Sequence, residues 1–172
     1  MYKYNKQQIK EFVSKPLFDE KALLNKELSW PRISVITPSY NQGRFLEKTI
    51  LSVLNQNYPN LEYIIIDGGS TDESINIIKK YENYIDYWVS EKDRGQADAL
   101  NKGFKKATGD IIGWQNSDDI YLPSVFLKIA ELFKQNPKID IIYGNRFDID
   151  EDNNIIGESI FTKFSRIISF LV

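Results

Sequence analysis

The 172-residue sequence contains no cysteine and no histidine. Without thiols the chain has no disulfide, no thiolate zinc site and no cysteine nucleophile. Without imidazole it has no His-based hydrolase triad, no His-ligated transition metal and no imidazole base. Any acid/base or metal chemistry must therefore run on carboxylates. Long runs of one charge are also missing: 22 Lys and Arg face 24 Asp and Glu, a net charge of -2. Bulk electrostatics thus point away from nucleic acid, and a phosphate-bearing ligand has to be held locally. No window approaches bilayer-spanning length, and the Lys-, Tyr- and Gln-rich stretch from Met1 to Lys15 lacks the apolar core of a signal peptide. The expected location is cytoplasmic.

What is present suits one well-buried domain, with 42% hydrophobic and 13% aromatic residues. Residues 1–30 read as a helical N-terminal extension with a packing role. Ile9, Phe12 and Val13, then Leu23, Leu24 and Leu28, fall at helical spacings on either side of Pro16. From Pro31 short β-rich runs alternate with longer helical ones, the pattern of an α/β fold with a largely parallel, Rossmann-like sheet flanked by helices. Strands are expected at Ile33 to Thr37 (ended by Pro38), Tyr63 to Ile66, Asp86 to Ser90, Ile111 to Trp114 and Ile139 to Tyr143. Helices are expected at about Phe45 to Asn55, after a Ser70/Glu73 capping box, at about Gln96 to Ala107, and from Pro123 at a first helical position to Asn136. Arg146 to Ile149 and Ile155 to Glu158 read as an antiparallel hairpin. The apolar and basic stretch Phe161 to Val172 reads either as a membrane-surface helix at the inner face of the membrane or as a core helix whose partner lies beyond Val172.

Polar residues collect where the strands end, which is where an open parallel sheet binds its ligand. They are Thr37-Pro38-Ser39-Tyr40-Asn41, Asp67-Gly68-Gly69-Ser70, Asp93-Arg94-Gly95 and Asn116-Ser117-Asp118-Asp119. Asp118 and Asp119 repel when both are ionised, and a hard divalent cation such as magnesium or manganese would settle that conflict. The plainer reading is an acidic turn ahead of a helix. Tyr40 offers an aromatic face, Asp67 an acceptor for a base or ribose, and Arg94 a planar cation for a base carbonyl or phosphate. Against these stand a surface tyrosine, an aspartate that only supports the glycine turn, and an arginine paired with Asp93 or Asp98. Asp98 and Asn101 share a helical face, Gly103 reads as a close-packing position, and Trp88 and Trp114 read as core.

In combination these segments resemble family 2 glycosyltransferases, inverting enzymes of the GT-A fold that take a sugar from a nucleotide-sugar donor. The likeness runs from about Ile33 to Tyr143. It rests on Ser34 to Gln42, Asp67 to Asp72, Ser90 to Gly103, and Trp114 to Pro123 as a variant of the D-x-D motif. The resemblance implies that Tyr40 stacks on the donor base, that Asp67 and Arg94 bind the base, that Asp118 contacts the ribose and neighbouring groups, and that Asp119 ligates Mg2+ or Mn2+ at the diphosphate. Thr37, Pro38, Asn41, Asp93, Asp98 and Asn116 complete the expected donor-binding set. Two departures stand out. Asn116 replaces the leading Asp of a full acidic triplet, and the general base is expected beyond Val172, since Asp148 and Asp150 read as hairpin rim residues.

The resulting expectation is a donor-binding GT-A core over residues 31–145 and the start of an acceptor-side region over 146–172. The donor is a UDP- or GDP-sugar and the acceptor a carbohydrate or lipid-linked hydroxyl, in cell-surface polysaccharide or glycolipid synthesis. The competing readings are a nucleotide-sugar-binding fragment without turnover and a sugar nucleotidyltransferase. The second lacks the glycine-rich basic loop that a triphosphate would need. A glycoside hydrolase is disfavoured because adjacent carboxylates cannot flank a glycosidic bond at the required separation of about 5 Å or more.

Overall fold

The computed structural model describes residues 6–152 and 154–160. Helices α1 (Lys6–Ser14) and α2 (Glu20–Leu24) precede β1 (Ile33–Ser39), α3 (Gly43–Leu54), β2 (Leu61–Asp67), α4 (Ser74–Lys80) and β3 (Tyr87–Ser90). Then come α5 (Gln96–Lys106), β4 (Ile111–Trp114), α6 (Val125–Gln135) and the hairpin strands β5 (Arg146–Ile149) and β6 (Ile155–Ser159). The main sheet is parallel throughout, in the order β3-β2-β1-β4. The mixed α/β architecture expected from the alternation is thus present.

Both faces of the central strands are buried. Val35, Tyr63 and Ile65 point into a large core with Leu46, Ile50 and Leu54 of α3, Ile78 of α4 and Phe126 of α6, whereas Ile36, Ile64 and Ile66 point to Ala99 of α5. Each of these Val, Leu, Ile and Phe side chains contributes about 1.5–3 kcal/mol on burial. Helix α5 can lie this close because of Gly103. A Cβ there would sit 2.4 Å from Ile36 Cγ2, so the close-packing reading of this glycine holds.

Pro38 does not end β1, which continues to Ser39. In a parallel strand the N–H groups alternate between neighbours, and Ile33 bonds toward the β2 side. Pro38 therefore faces the β4 side, where pairing has already stopped at Ile36 and Trp114, so its missing N–H costs no ladder bond.

Other expectations fail for local reasons. Residues 139–143 form no strand: the Ile139 N–H closes a turn onto the Asn136 carbonyl after α6, and Ile141 is 74% exposed. The Ser70/Glu73 capping box does not form. Ser70 is drawn to Asp67, and α4 opens later, with the Ser74 N–H held by Asp72 at 3.0 Å. Pro123 lies outside α6, whose first N–H, from Val125, is accepted by Gln56 Oε1 at 2.9 Å. Trp114 is exposed rather than core, because α5 covers β1 and β2 and leaves that face of β4 open. Trp88 does pack against the core.

The N-terminal extension buries Ile9, Phe12, Val13 and Leu23, while Leu24 and Leu28 stay exposed. Two asparagines after α3 tie it down. Asn55 donates to the Phe12 and Lys15 carbonyls and accepts from the Leu17 N–H, and Asn57 accepts from the Asp19 N–H. The expected apolar helix at Phe161 to Val172 lies outside the described residues. Among those that are described, no helix is long and apolar enough to cross a membrane.

Candidate active site

A cavity of about 570 Å³ opens at the carboxyl end of the sheet, a size that suits a small-molecule ligand. Of the residues expected to bind a donor, Pro38, Tyr40, Asp93, Asn116 and Asp118 line it. Four segments distant in sequence therefore do converge, because parallel β1, β2, β3 and β4 all deliver their C-terminal loops to one edge. Tyr40 is 60% exposed, an aromatic face without a packing duty.

The other candidates are placed differently. Thr37 is buried, with its hydroxyl 3.1 Å from the Tyr63 hydroxyl. Asn41, at φ 51°, accepts from the Thr71 N–H, while its own N–H donates to Ser70 Oγ, which stitches the first two loops together. Asp67 is fully buried, and its carboxylate accepts from the Gly69 and Ser70 N–H groups and from the Ser70 and Ser90 hydroxyls. It holds the glycine turn from below. Arg94 does not line the cavity. Its backbone N–H and its guanidinium both donate to Asp98 at 3.2 Å, and the guanidinium hydrogen bond holds the Asp98 carboxyl below its ordinary value.

Ser39, Gln42, Lys92 and Gln96 also line the wall; they fall within the motif segments but had no role assigned from sequence. Ser39 is the most informative of them. It is 4% exposed, and its hydroxyl has no hydrogen-bond partner among the described residues. Its sequence signal was its place at the end of β1, beside Tyr40. Asp93 reaches the wall because Gly68 has no side chain: a Cβ there would lie 2.8 Å from Asp93 Oδ2. The Gly95 N–H donates to Asp93 Oδ1 at 2.8 Å and fixes its orientation.

The acidic loop after β4 is held by a polar stripe on α3. Thr49 shares its hydroxyl hydrogen between the Ser117 carbonyl at 2.9 Å and the Asp119 carbonyl at 2.8 Å. Ser52 accepts from the Tyr121 N–H, and Gln56 donates to the Leu122 carbonyl. Thr49 and Ser52 share one face of α3 and Gln56 lies in the turn that follows, a polar pattern to which apolar spacing gives no clue. Asp119 Oδ2 accepts from the Asn116 amide at 3.0 Å. Desolvation by the surrounding protein raises the Asp119 carboxyl above its ordinary value, and the charge of Asp118 adds to this against the Asn116 hydrogen bond and Arg146.

A divalent cation fits this donor set. Two neighbouring carboxylates in conflict, both of hard oxygen, match what magnesium or manganese takes from a protein when phosphates supply other ligands. No cluster of three or more acidic residues able to hold a metal unaided occurs among the described residues. The hairpin carboxylates are engaged locally: Asp148 with Arg146 and Ser159, Asp150 with Asp152 and Asn154.

A parallel α/β sheet with a cavity at its carboxyl edge, faced by the Tyr40 ring and lined by Asp118 but not Asp119, is the arrangement of the GT-A fold. The family model for Glycosyl transferase family 2 matches residues 34–171, and the chain belongs to that family. It is 37% identical over 132 residues to an uncharacterized glycosyltransferase of Haemophilus influenzae, covering 75% of this chain and 52% of that protein. It is 33% identical to the poly-beta-1,6-N-acetyl-D-glucosamine synthase of Staphylococcus epidermidis over 138 residues, covering 79% of this chain and 33% of the synthase.

Among solved structures it matches S. aureus TarS in complex with UDP-GlcNAc, with a TM-score of 0.53 and 28% identity, over 60% of this chain and 31% of that one. It also matches the mannosyltransferase PcManGT of Pyrobaculum calidifontis, in complex with GDP-Man and Mn2+, with a TM-score of 0.57 and 25% identity, over 81% and 40%. The chain thus spans about half or less of the length of these relatives. The fold is that of the GT-A glycosyltransferases, and the family is one of sugar-transferring enzymes.

Proposed function

We propose that this chain carries the donor-binding part of an inverting glycosyltransferase that moves a sugar from a UDP- or GDP-sugar to a hydroxyl of a carbohydrate or lipid-linked acceptor. Cell-surface polysaccharide or glycolipid synthesis is the pathway class this reading favours. The observation that carries it is the convergence of Tyr40, Asp93 and Asp118 on one cavity whose wall holds an orphaned hydroxyl, Ser39 Oγ. A buried polar group without a partner costs about 1–3 kcal/mol, which a hydrogen bond from a bound donor would recover.

In this reading Tyr40 stacks on the base, Asp93 and Ser39 hydrogen-bond to the nucleoside, and Asp118 accepts from the ribose. Pro38 and Asn116 shape the wall, and Asp67, Thr37 and Asn41 keep the loops in place beneath it. Arg94, with its side chain 89% exposed, reaches the base by leaving Asp98. Asp119 holds Mg2+ or Mn2+, which, when bound, would neutralise the charge that gathers on the departing nucleoside diphosphate. The acceptor hydroxyl attacks from the opposite face and inverts the anomeric carbon, with its base supplied from outside the described residues. Residues 31–145 serve as the donor core, and the region from 146 onward begins the acceptor side. A cytoplasmic location, with peripheral contact at the inner membrane face, accords with this role.

The test is a thermal-shift panel of nucleotide sugars with and without Mn2+. At a donor concentration of about 100 times Kd, binding adds about 2.7 kcal/mol to the folded state. Stabilisation by a UDP- or GDP-sugar that depends on Mn2+ and vanishes in Asp119→Ala is expected. Equal shifts in wild type and variant would remove the metal assignment. A second reading, binding without turnover, is favoured by the local engagement of Asp148 and Asp150. Slow metal-dependent release of nucleoside diphosphate from the donor would exclude it.

A further inference from the structure

Gln96 opens α5, lines the cavity, and has no role in the site as derived above. Its Nε2 donates to Asn116 Oδ1 at 2.7 Å, and Asn116 Nδ2 donates to Asp119 Oδ2 at 3.0 Å. The direction of this chain is dictated from its acidic end. An ionised carboxylate only accepts, so the group facing Asp119 is the Asn116 NH2, its oxygen faces away, and Gln96 must donate to that oxygen.

Both amides are well anchored. Gly95, at φ 105°, donates to Asp93 and accepts from the Asp98 and Ala99 N–H groups, which fixes the first turn of α5. Asn116 is held by its neighbour Gln115, whose N–H bonds to Ile36, and by its own carbonyl, which accepts from the Asp119 N–H at 3.1 Å.

We infer that Gln96 is a positioning residue for the metal-binding carboxylate: by holding the Asn116 oxygen it keeps the Asn116 NH2 on Asp119 Oδ2 and leaves Oδ1 as the oxygen for the cation. The inference rests on the metal assignment proposed for Asp119. It also accounts for asparagine at position 116. An aspartate there would still accept from Gln96 but would have no hydrogen for Asp119 and would add a third negative group to the loop. Groups that orient a metal ligand typically change metal affinity by about 10- to 100-fold when removed, and a solvent-exposed relay belongs at the lower end.

The experiment titrates Mn2+ against the protein in the presence of UDP and, separately, GDP, reading bound metal by its paramagnetic resonance, with metal-free melting temperatures alongside. Gln96→Met keeps the length and removes the donor, so Mn2+ affinity falls about 10-fold while the melting temperature holds. Gln96→Glu separates orientation from charge. An added anion alone would tighten Mn2+, whereas a glutamate that draws the Asn116 NH2 off Asp119 weakens it. Unchanged affinity in Gln96→Met, or tighter binding in Gln96→Glu, overturns the positioning role and leaves the metal assignment standing. If wild type takes up no Mn2+ with either nucleotide, the metal assignment fails and this inference fails with it.

Discussion

Replacing Gly103 with alanine tests how closely α5 must approach β1 for the cavity wall to form. The new Cβ would meet Ile36 Cγ2 at 2.4 Å and Cγ1 at 3.1 Å, well inside the optimal carbon separation of about 3.5–4.0 Å. Ile36 is fully buried and cannot swing aside. Overpacking of this kind costs about 1–3 kcal/mol, against a gain of about 1 kcal/mol from exchanging glycine for alanine within a helix. At about 2–4 °C per kcal/mol for a chain of this size, the net loss lowers the melting temperature by a few degrees. The sharper assay is a double-mutant cycle in urea. Ile36→Ala alone opens a cavity and costs about 2–5 kcal/mol, but in the Gly103→Ala background the added methyl partly fills the gap, so the two losses should fall short of their sum by about 0.5–3 kcal/mol. Nucleotide affinity should fall in Gly103→Ala as well, because the displaced helix carries Gln96 and the loop from Asp93. Strictly additive losses would refute the contact as the reason for glycine at this position.

Tyr40→Ala should weaken nucleotide binding by about 1–3 kcal/mol, the usual worth of one aromatic ring stacked on a base, measured calorimetrically with UDP or GDP. Its melting temperature should match wild type, since the ring is exposed; a fall in stability with intact binding would make Tyr40 a packing residue. Glu62 offers a pH test at the opposite end of the sheet. Burial alone would raise its pKa, but hydrogen bonds from Ser34 and Thr108 and the Arg32 charge hold the carboxyl below the ordinary 4.5. A depressed folded-state value means that its contribution is present above pH 4.5 and is lost as pH falls through the folded value. Urea midpoints should therefore drop as the pH is taken below 4.5, and Glu62→Gln should flatten that drop.

The alternation of apolar runs made β1 to β4 legible, because each strand is a short hydrophobic stretch closed by polar residues, and the ends of those stretches carry the cavity. What stayed hidden depends on neighbours. Pro38 within β1 is harmless only because β4 pairs no further than Trp114, and the exposure of Trp114 follows from how far α5 reaches. The run Ile139 to Tyr143 has strand composition, yet a local turn at Asn136 takes its first N–H and no ladder forms. Arg94 and Asp98 stand four apart, a spacing that permits an ion pair on the same helix end, and that pair formed. Thr49, Ser52 and Gln56 were invisible to a search for apolar periodicity because their buried face is polar.

That stripe on α3 grips the loop after β4 by its carbonyl and amide groups alone. The Asp118 carboxylate is consequently excused from maintaining the shape of the segment that bears it, and that of Asp119 contributes one hydrogen bond, from Asn116. A chassis of this design lets the tool be swapped while the mount stays put: substitutions at either position should alter chemistry with little penalty to folding, leaving the reactive end of the domain open to laboratory redesign and to evolutionary drift alike.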